Sequence, residues 1–252
     1  MILGFSTGSL AKGDFVEALD ILSSISNPAL AIELSTLRES ELPLLIKALP
    51  FLDLHRYKYI SIHAPSKLLH YSEDEVITYL LKIKKYNFPI IVHPDIITDY
   101  TKWEVLGTLL CIENMDKRKA IGRTAEDLEL IFQRLPNARF CLDLAHAKQV
   151  DPSMVECVKM LRMFSDRLIQ FHISDVTSDC NHVPINLEAI EAYRKVAKLI
   201  PTDIPFIIES PVSRDYFVNE LIYISSIFHI NNNYNNNHHS FISEHHEHMK
   251  SS

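Results

Sequence analysis

The chain has 252 residues, room for one large domain or two small ones, and a barrel of alternating strands and helices commonly needs about 250. Apolar residues make up 47%, which allows a sizeable core and excludes a chain disordered throughout. A formal charge of -7 argues against a broad nucleic-acid surface, since phosphate contacts need clustered Lys and Arg.

No apolar run reaches the roughly 18 residues of a membrane span, and Met1-Ile2-Leu3-Gly4 lacks a basic leader. The expectation is a cytoplasmic protein without a signal peptide. Cys111, Cys141, Cys157 and Cys180 form no CxxC pair, and the first two lie in apolar runs, so reduced, buried thiols are expected.

Ile2 to Thr7 reads as a first strand, ended by Gly8. Asp14 to Ile25 has helical spacing, with Phe15, Ala18, Leu19 and Leu22 on one face. Ala29 to Leu34 is a second strand, and Ser40 to Leu52 a helix with Ser40 as its expected cap. Tyr59 to Ile62 is the third strand, followed by a helix over Ser72 to Tyr86 that opens on a capping box. Pro89 to Val92 is the fourth strand, with a short, poorly patterned helix near Asp99 to Leu106. Leu109 to Ile112 is the fifth, and Thr124 to Leu135 a helix capped by Thr124. Phe140 to Leu142 is the sixth, then a helix over Ser153 to Phe164. Leu168 to Phe171 is the seventh, then a loop and a helix over Leu187 to Leu199. Pro205 to Ile208 is the eighth, and Arg214 to Phe228 the closing helix.

Strand and helix alternate eight times, and the strand cores are continuously apolar, as when both faces are covered. The fold expected is an α/β (β/α)8 barrel over residues 1–228. A doubly wound open sheet is the rival, but no GxGxxG follows the first strand. From His229 the composition turns to Asn and His, without apolar period, so 229–252 is expected to be a disordered tail.

Asp143 follows the apolar run Phe140-Cys141-Leu142, and His146 stands three residues on. The device recurs: Glu33, His63, His93, Glu113, His172 and Glu209 also close apolar runs. A charged group capping a buried strand is costly unless paired. One such residue alone is usually a hydrogen-bonded or helix-capping group, and Glu33 could instead pair with Arg38. Together, seven of eight strand ends carrying His, Asp or Glu point to one mouth of a barrel and to a divalent metal there. Imidazole richness leans to zinc and carboxylates to manganese.

The pieces Ser61-Ile62-His63-Ala64-Pro65, Val92-His93-Pro94, Ile112-Glu113-Asn114, Leu142-Asp143-Leu144-Ala145-His146, Phe171-His172-Ile173-Ser174-Asp175 and Ile208-Glu209-Ser210-Pro211 stand in one order and spacing. In these the chain resembles the xylose isomerase-like barrel superfamily, which includes sugar isomerases, epimerases and the endonuclease IV group. For the isomerase branch the resemblance implies a single ion held by Glu113, Asp143, His172 and Glu209. For the endonuclease IV branch it implies three zinc ions, with His63, His93, His146 and His182 as further ligands. There Cys180 stands where the family has Asp, with Asp179 one residue away, and Asn181 replaces the usual arginine.

Two reactions follow, the first as the expectation and the second as its alternative. In the first, a sugar or sugar phosphate is isomerised or epimerised through an enediolate, Glu113 and Glu209 moving the proton. His146 would orient a substrate hydroxyl, and His63, His93 and Glu33 would line the pocket. In the second, a multinuclear zinc site hydrolyses a phosphoester. The acidic balance and the scarcity of basic residues in the loops after His63 and Asp143 argue for a small phosphorylated molecule over DNA. A binding module on an inactive barrel is a third class, and a homodimer would cover an open mouth.

Overall fold

The computed structural model describes residues 1–24, 29–213 and 216–228. Eight parallel strands close into a barrel: β1 (Leu3–Ser6), β2 (Ala31–Ser35), β3 (Tyr59–His63), β4 (Ile90–Val92), β5 (Leu110–Glu113), β6 (Arg139–Asp143), β7 (Leu168–Ile173) and β8 (Phe206–Ile208). Each strand pairs with its sequence neighbours, and β1 pairs with β8 to complete the ring. Closure removes the open-sheet rival. Gly4 sits at the seam: a Cβ there would lie 1.8 Å from the Ala31 carbonyl oxygen, so only glycine permits the β1–β2 approach.

The helices fall between the strands as the periodicity predicts, with tightened ends. Phe15–Ser23 is capped by Asp14, Glu73–Leu81 by the Ser72/Glu75 box, and Ala125–Arg134 by Thr124. Ser40 caps nothing: its own backbone is already helical, and Glu41 accepts the Arg38 amide instead. The helix behind it is Glu41–Ala48, and Leu49–Phe51 tightens into a 3-10 turn at Pro50. Val155–Met163, Leu187–Val196 and Phe217–Phe228 complete the outer ring. The fourth helix is short, Tyr100–Trp103, then a 3-10 stretch broken at Gly107.

Four elements have no counterpart in the sequence pattern: Thr7–Leu10, a helical turn that runs straight on from β1 so that the strand stops at Ser6, Pro94–Ile96, a 3-10 turn after β4, and two more. Leu144–Val150 is a helix that starts directly where β6 stops, and Asp175–Val176 pairs with His182–Val183 in a small antiparallel hairpin. Ile25, Arg214 and the expected tail 229–252 lie outside the described residues. No helix among the described residues is long and apolar enough to cross a membrane. All four cysteines are buried and free.

The pleat decides what faces inward. Along each strand alternate side chains point into the barrel, so Ile91, Cys111, Cys141, Gln170 and Ser61 share a face with His93, Glu113, Asp143, His172 and His63, two residues on. The alternate set, such as Phe140, Leu142, Phe171 and Ile173, is equally buried but packs against the helices. Phe132, Phe140 and Phe164 form a ring cluster behind β6, with centroids 5.0 to 5.9 Å apart. Such pairs add about 0.5–1.5 kcal/mol each beyond area burial, which holds the strand end carrying Asp143 in place.

Candidate metal centre

Asp143 has two tasks. Its Oδ1 accepts the His146 amide at 2.7 Å and so caps Leu144–Val150, while Oδ2 is buried without a hydrogen-bond partner. Capping fixes the carboxylate's orientation and puts His146 on the first turn, facing the same mouth. Asn114 locks the neighbouring strand end to it, donating from Nδ2 to the Asp143 carbonyl at 2.9 Å and accepting the Asp143 amide at 2.7 Å.

Four imidazoles have one nitrogen tied to a protein group. His63 Nδ1 donates to the Ala64 carbonyl at 2.7 Å, and His146 Nδ1 to the Asn114 carbonyl at 3.0 Å. His172 Nε2 lies 3.0 Å from Glu33 Oε2, and His182 Nδ1 2.8 Å from Ser174 Oγ. A tied nitrogen sets the ring's tautomer and aims the other nitrogen.

Glu113 is where they meet. Its Oε2 lies 3.3 Å from His63 Nε2 and 3.4 Å from His93 Nε2. Its Oε1 lies 3.3 Å from His172 Nδ1 and 3.4 Å from His146 Nδ1. His172 Nδ1 in turn lies 3.5 Å from Glu209 Oε2, which is 3.7 Å from His182 Nε2. Ligand atoms within 4.8 Å of one another define four groups that could hold a cation. They are His63, His93 and Glu113; Glu113, Asp143, His172 and Glu209; Asp143, His146 and His182; and Glu33, His63 and Glu209.

The residues fit a divalent metal on a direct observation. Asp143 Oδ2, His172 Nδ1 and Glu209 Oε2 are all buried without hydrogen-bond partners, and all three belong to the four-ligand group. Buried polar atoms are seldom left so, and oxygen and imidazole nitrogen are donors that zinc and manganese accept.

The electrostatics express the same crowding. Burial pushes Glu209 up to about 8, with the charges of Glu113 and Asp143 adding to the rise and His172 opposing it. Glu113 is held well below the usual carboxylate range: burial acts against this, and the surrounding His172, His93 and His146 outweigh it. Burial would lower His63, but its bond to Glu113 and the charge of Glu33 hold it up to about 9. His146 is likewise held up to about 10 against burial, by Asp143 and Glu113. Burial wins at His182, pushed down to about 4, and lowers His93. With carboxylates and imidazoles competing for the same protons, a cation is the charge that would satisfy both.

Most of the expected residues therefore converge: His63, His93, Glu113, Asp143, His146, His172, His182 and Glu209 fall in overlapping groups of close ligand atoms. Glu33 is fully buried, accepting from Ser61 Oγ at 3.1 Å and Gln170 Nε2 at 2.7 Å, so it stands behind His172 instead of on an open pocket wall. Arg38 pairs with Glu41, not with Glu33. Neither Cys180 nor Asp179 enters a group among the described residues: Cys180 Sγ donates to Gln149 Oε1 at 3.0 Å, and the Asp179 carbonyl accepts from Arg118.

Sequence reasoning passes over Asn114, Ser61 and Gln170 as positioning groups, although the two-residue strand period places the last two below His63 and His172. It also passes over the loop after β5, which carries Lys117, Arg118, Lys119 and Arg123. Arg118 braces the hairpin loop, bonding Asp116 and the Asp179 carbonyl, and Lys119 pairs with Asp95. This loop is thus richer in cations than those after His63 and Asp143, with two of its four paired to carboxylates.

Comparison with known proteins agrees with the fold. No curated protein matches. Among solved structures, endonuclease IV from Thermus thermophilus is similar, with a TM-score of 0.58 and 18% identity over 90% of this chain and 98% of that one. At that identity the likeness is one of fold. The model of the xylose isomerase-like TIM barrel matches residues 100–246, from the helix before β5 through β8, and so takes in Glu113, Asp143, His172 and Glu209. The stretch is more than half of the chain, which belongs to the xylose isomerase-like TIM barrel family.

Proposed function

We propose that the chain is a divalent-metal enzyme with more than one ion per site, hydrolysing a phosphoester. The observation that carries the reading is Glu113, whose two oxygens serve different groups. One faces His63 and His93, the other faces His172. The His63–His93–Glu113 group and the Glu113–Asp143–His172–Glu209 group would each hold a cation, and eight convergent side chains exceed what one cation uses. Bound in such a pair, divalent ions supply Lewis acidity to the attacking and leaving oxygens of an in-line displacement. The chain's own part is to hold that geometry. Asn114 and the Leu144–Val150 cap fix Asp143, the tied nitrogens fix four rings, and His146 and His182 complete a further group with Asp143 that could hold a cation. A small phosphorylated substrate needs less basic surface than DNA, and the basic loop after β5 gives that anion a cationic approach.

A second reading keeps one ion and isomerises a sugar or sugar phosphate. It is favoured by Glu113 and Glu209 lying 3.3 and 3.5 Å from the same His172 nitrogen, so two carboxylates flank one point, as proton transfer off and onto carbon requires. The same fold and family serve both readings.

Elemental analysis separates them, after loosely held ions are removed by dialysis against a weak chelator. Two or three ions per chain with turnover of an aryl phosphodiester is the expected result. A single ion, with solvent deuterium entering a ketose and lost in Glu209→Gln, would replace hydrolysis by isomerisation. Cleavage of a duplex with an abasic site, and of no small ester, would move the substrate class to DNA.

A further inference from the structure

Resting on the reading that the centre binds divalent ions, we propose that Glu33 is a positioning residue: it holds a proton on His172 Nε2, leaves Nδ1 free, and gives the Glu113–Asp143–His172–Glu209 group first claim on a cation. His63, His146 and His182 tie their outer nitrogens to uncharged oxygens, of Ala64, Asn114 and Ser174. Of these outer nitrogens only that of His172 has a carboxylate as close as 3.0 Å, whereas His146 Nδ1 has Glu113 and Asp143 no nearer than 3.4 Å. A carboxylate acceptor makes a stronger bond than a carbonyl or hydroxyl, and more so where water is excluded. It also raises the basicity of the far nitrogen toward a metal.

Among the described residues Glu33 forms no ion pair with Lys or Arg, and its Oε2 is the oxygen turned to His172. The residue is fully buried, its neighbours are Ser61, Gln170 and His172, and the nearby Arg38 is taken by Glu41. A buried carboxylate without Lys or Arg is expensive to keep, and two donors here hold it with Oε2 toward the imidazole. The geometry at the other end is equally directed. His172 Nδ1, 3.3 Å from Glu113 and 3.5 Å from Glu209, has no hydrogen-bond partner. The Gln170 amide also lies against His172 Nε2, at 2.8 Å, but it already donates to Glu33 Oε2 at 2.7 Å, and the reverse tautomer would put a proton on Nδ1 and two acceptors against each other at Nε2 and Glu33.

The rival role for Glu33 is as a ligand itself, with His63 and Glu209, and the test tells the two apart. The full chain and its Glu33→Gln variant are titrated with Zn2+ against a competing chelator. Both carry the same His-rich terminal segment, so differences between them report the barrel. Expected is the same number of ions at saturation and a first equivalent about 10- to 100-fold weaker in the variant. An unchanged first equivalent overturns the proposal, and so does the loss of a whole equivalent, which would make Glu33 a ligand. Should the variant not fold, 15N NMR of the zinc-loaded wild type decides: a slowly exchanging proton on His172 Nε2 supports the proposal, and a proton on Nδ1 overturns it. A wild type that takes up no ion at the barrel sinks the metal-centre reading instead, whatever the variant does.

Discussion

Asn114 and Asp143 are bonded twice, side-chain amide to backbone in both directions, at 2.9 and 2.7 Å. Neither residue is exposed, so each bond replaces one that water cannot supply. The pair fastens the ends of β5 and β6, which carry two of the four residues in the central group.

Asn114→Ala should therefore cost more than a surface change. It leaves a buried amide and carbonyl unsatisfied, for about 2–4 kcal/mol. Urea denaturation of the metal-free protein should show the midpoint fall at unchanged slope, and zinc affinity should fall with it because Asp143 loses its fixed position. A midpoint equal to wild type would show that the two bonds contribute nothing net.

Glu113→Gln tests whether the two groups depend on one carboxylate. The amide keeps the shape and removes the charge shared by both groups, so ion content should drop by at least one per chain and turnover of a phosphodiester by about 100-fold or more. Retention of every ion, measured by mass spectrometry of the metal content, would show that the two groups are independent.

Metal-free stability should fall as pH rises from about 7 to about 8. His63 and His146, held up to about 9 and about 10, and Glu209, held up to about 8, keep protons in the folded chain that they lose on unfolding across that interval. Groups whose folded pKa is raised in this way stabilise at lower pH and cease to as pH climbs. His182 and His93, held low, are largely uncharged in both states there, and Glu33 and Glu113 are ionised in both. With zinc bound the slope should flatten or reverse, since the cation displaces those protons. Thermal melts at two pH values, with and without chelator, measure it.

Gly4→Ala should prevent closure. The added methyl would stand 1.8 Å from the Ala31 carbonyl oxygen, with backbone on the other side that cannot give way. Loss of soluble, cooperatively melting protein is the expected outcome, and a normally folded variant would mean that β1 and β2 can separate without opening the barrel.

The strands and the mouth are legible in the sequence because each apolar run stops at a titratable residue, and parallel closure brings those stops together. What escapes a sequence reading is where one residue serves twice. Asp143 is both strand end and helix cap, so Leu144–Val150 begins without the turn residues that normally announce a helix. Ser40 misleads the other way, a good capping residue already inside the turn. Glu33 reads as a mouth residue, yet Ser61 meets it as its paired neighbour on β3 and Gln170 reaches it across the barrel interior from β7. Such contacts, 28 and 137 residues apart along the chain, have no local signature.

The alternation of side chains along each strand also limits how this protein can change. An insertion of one residue within β5 ahead of Glu113 would swing its carboxylate out among the helices and Cys111 with it. Lengthening the loops beyond the strands carries no such penalty. Variation in what the barrel accepts should thus accumulate as added loop length above an unchanged rim, while the short strands keep their residue count.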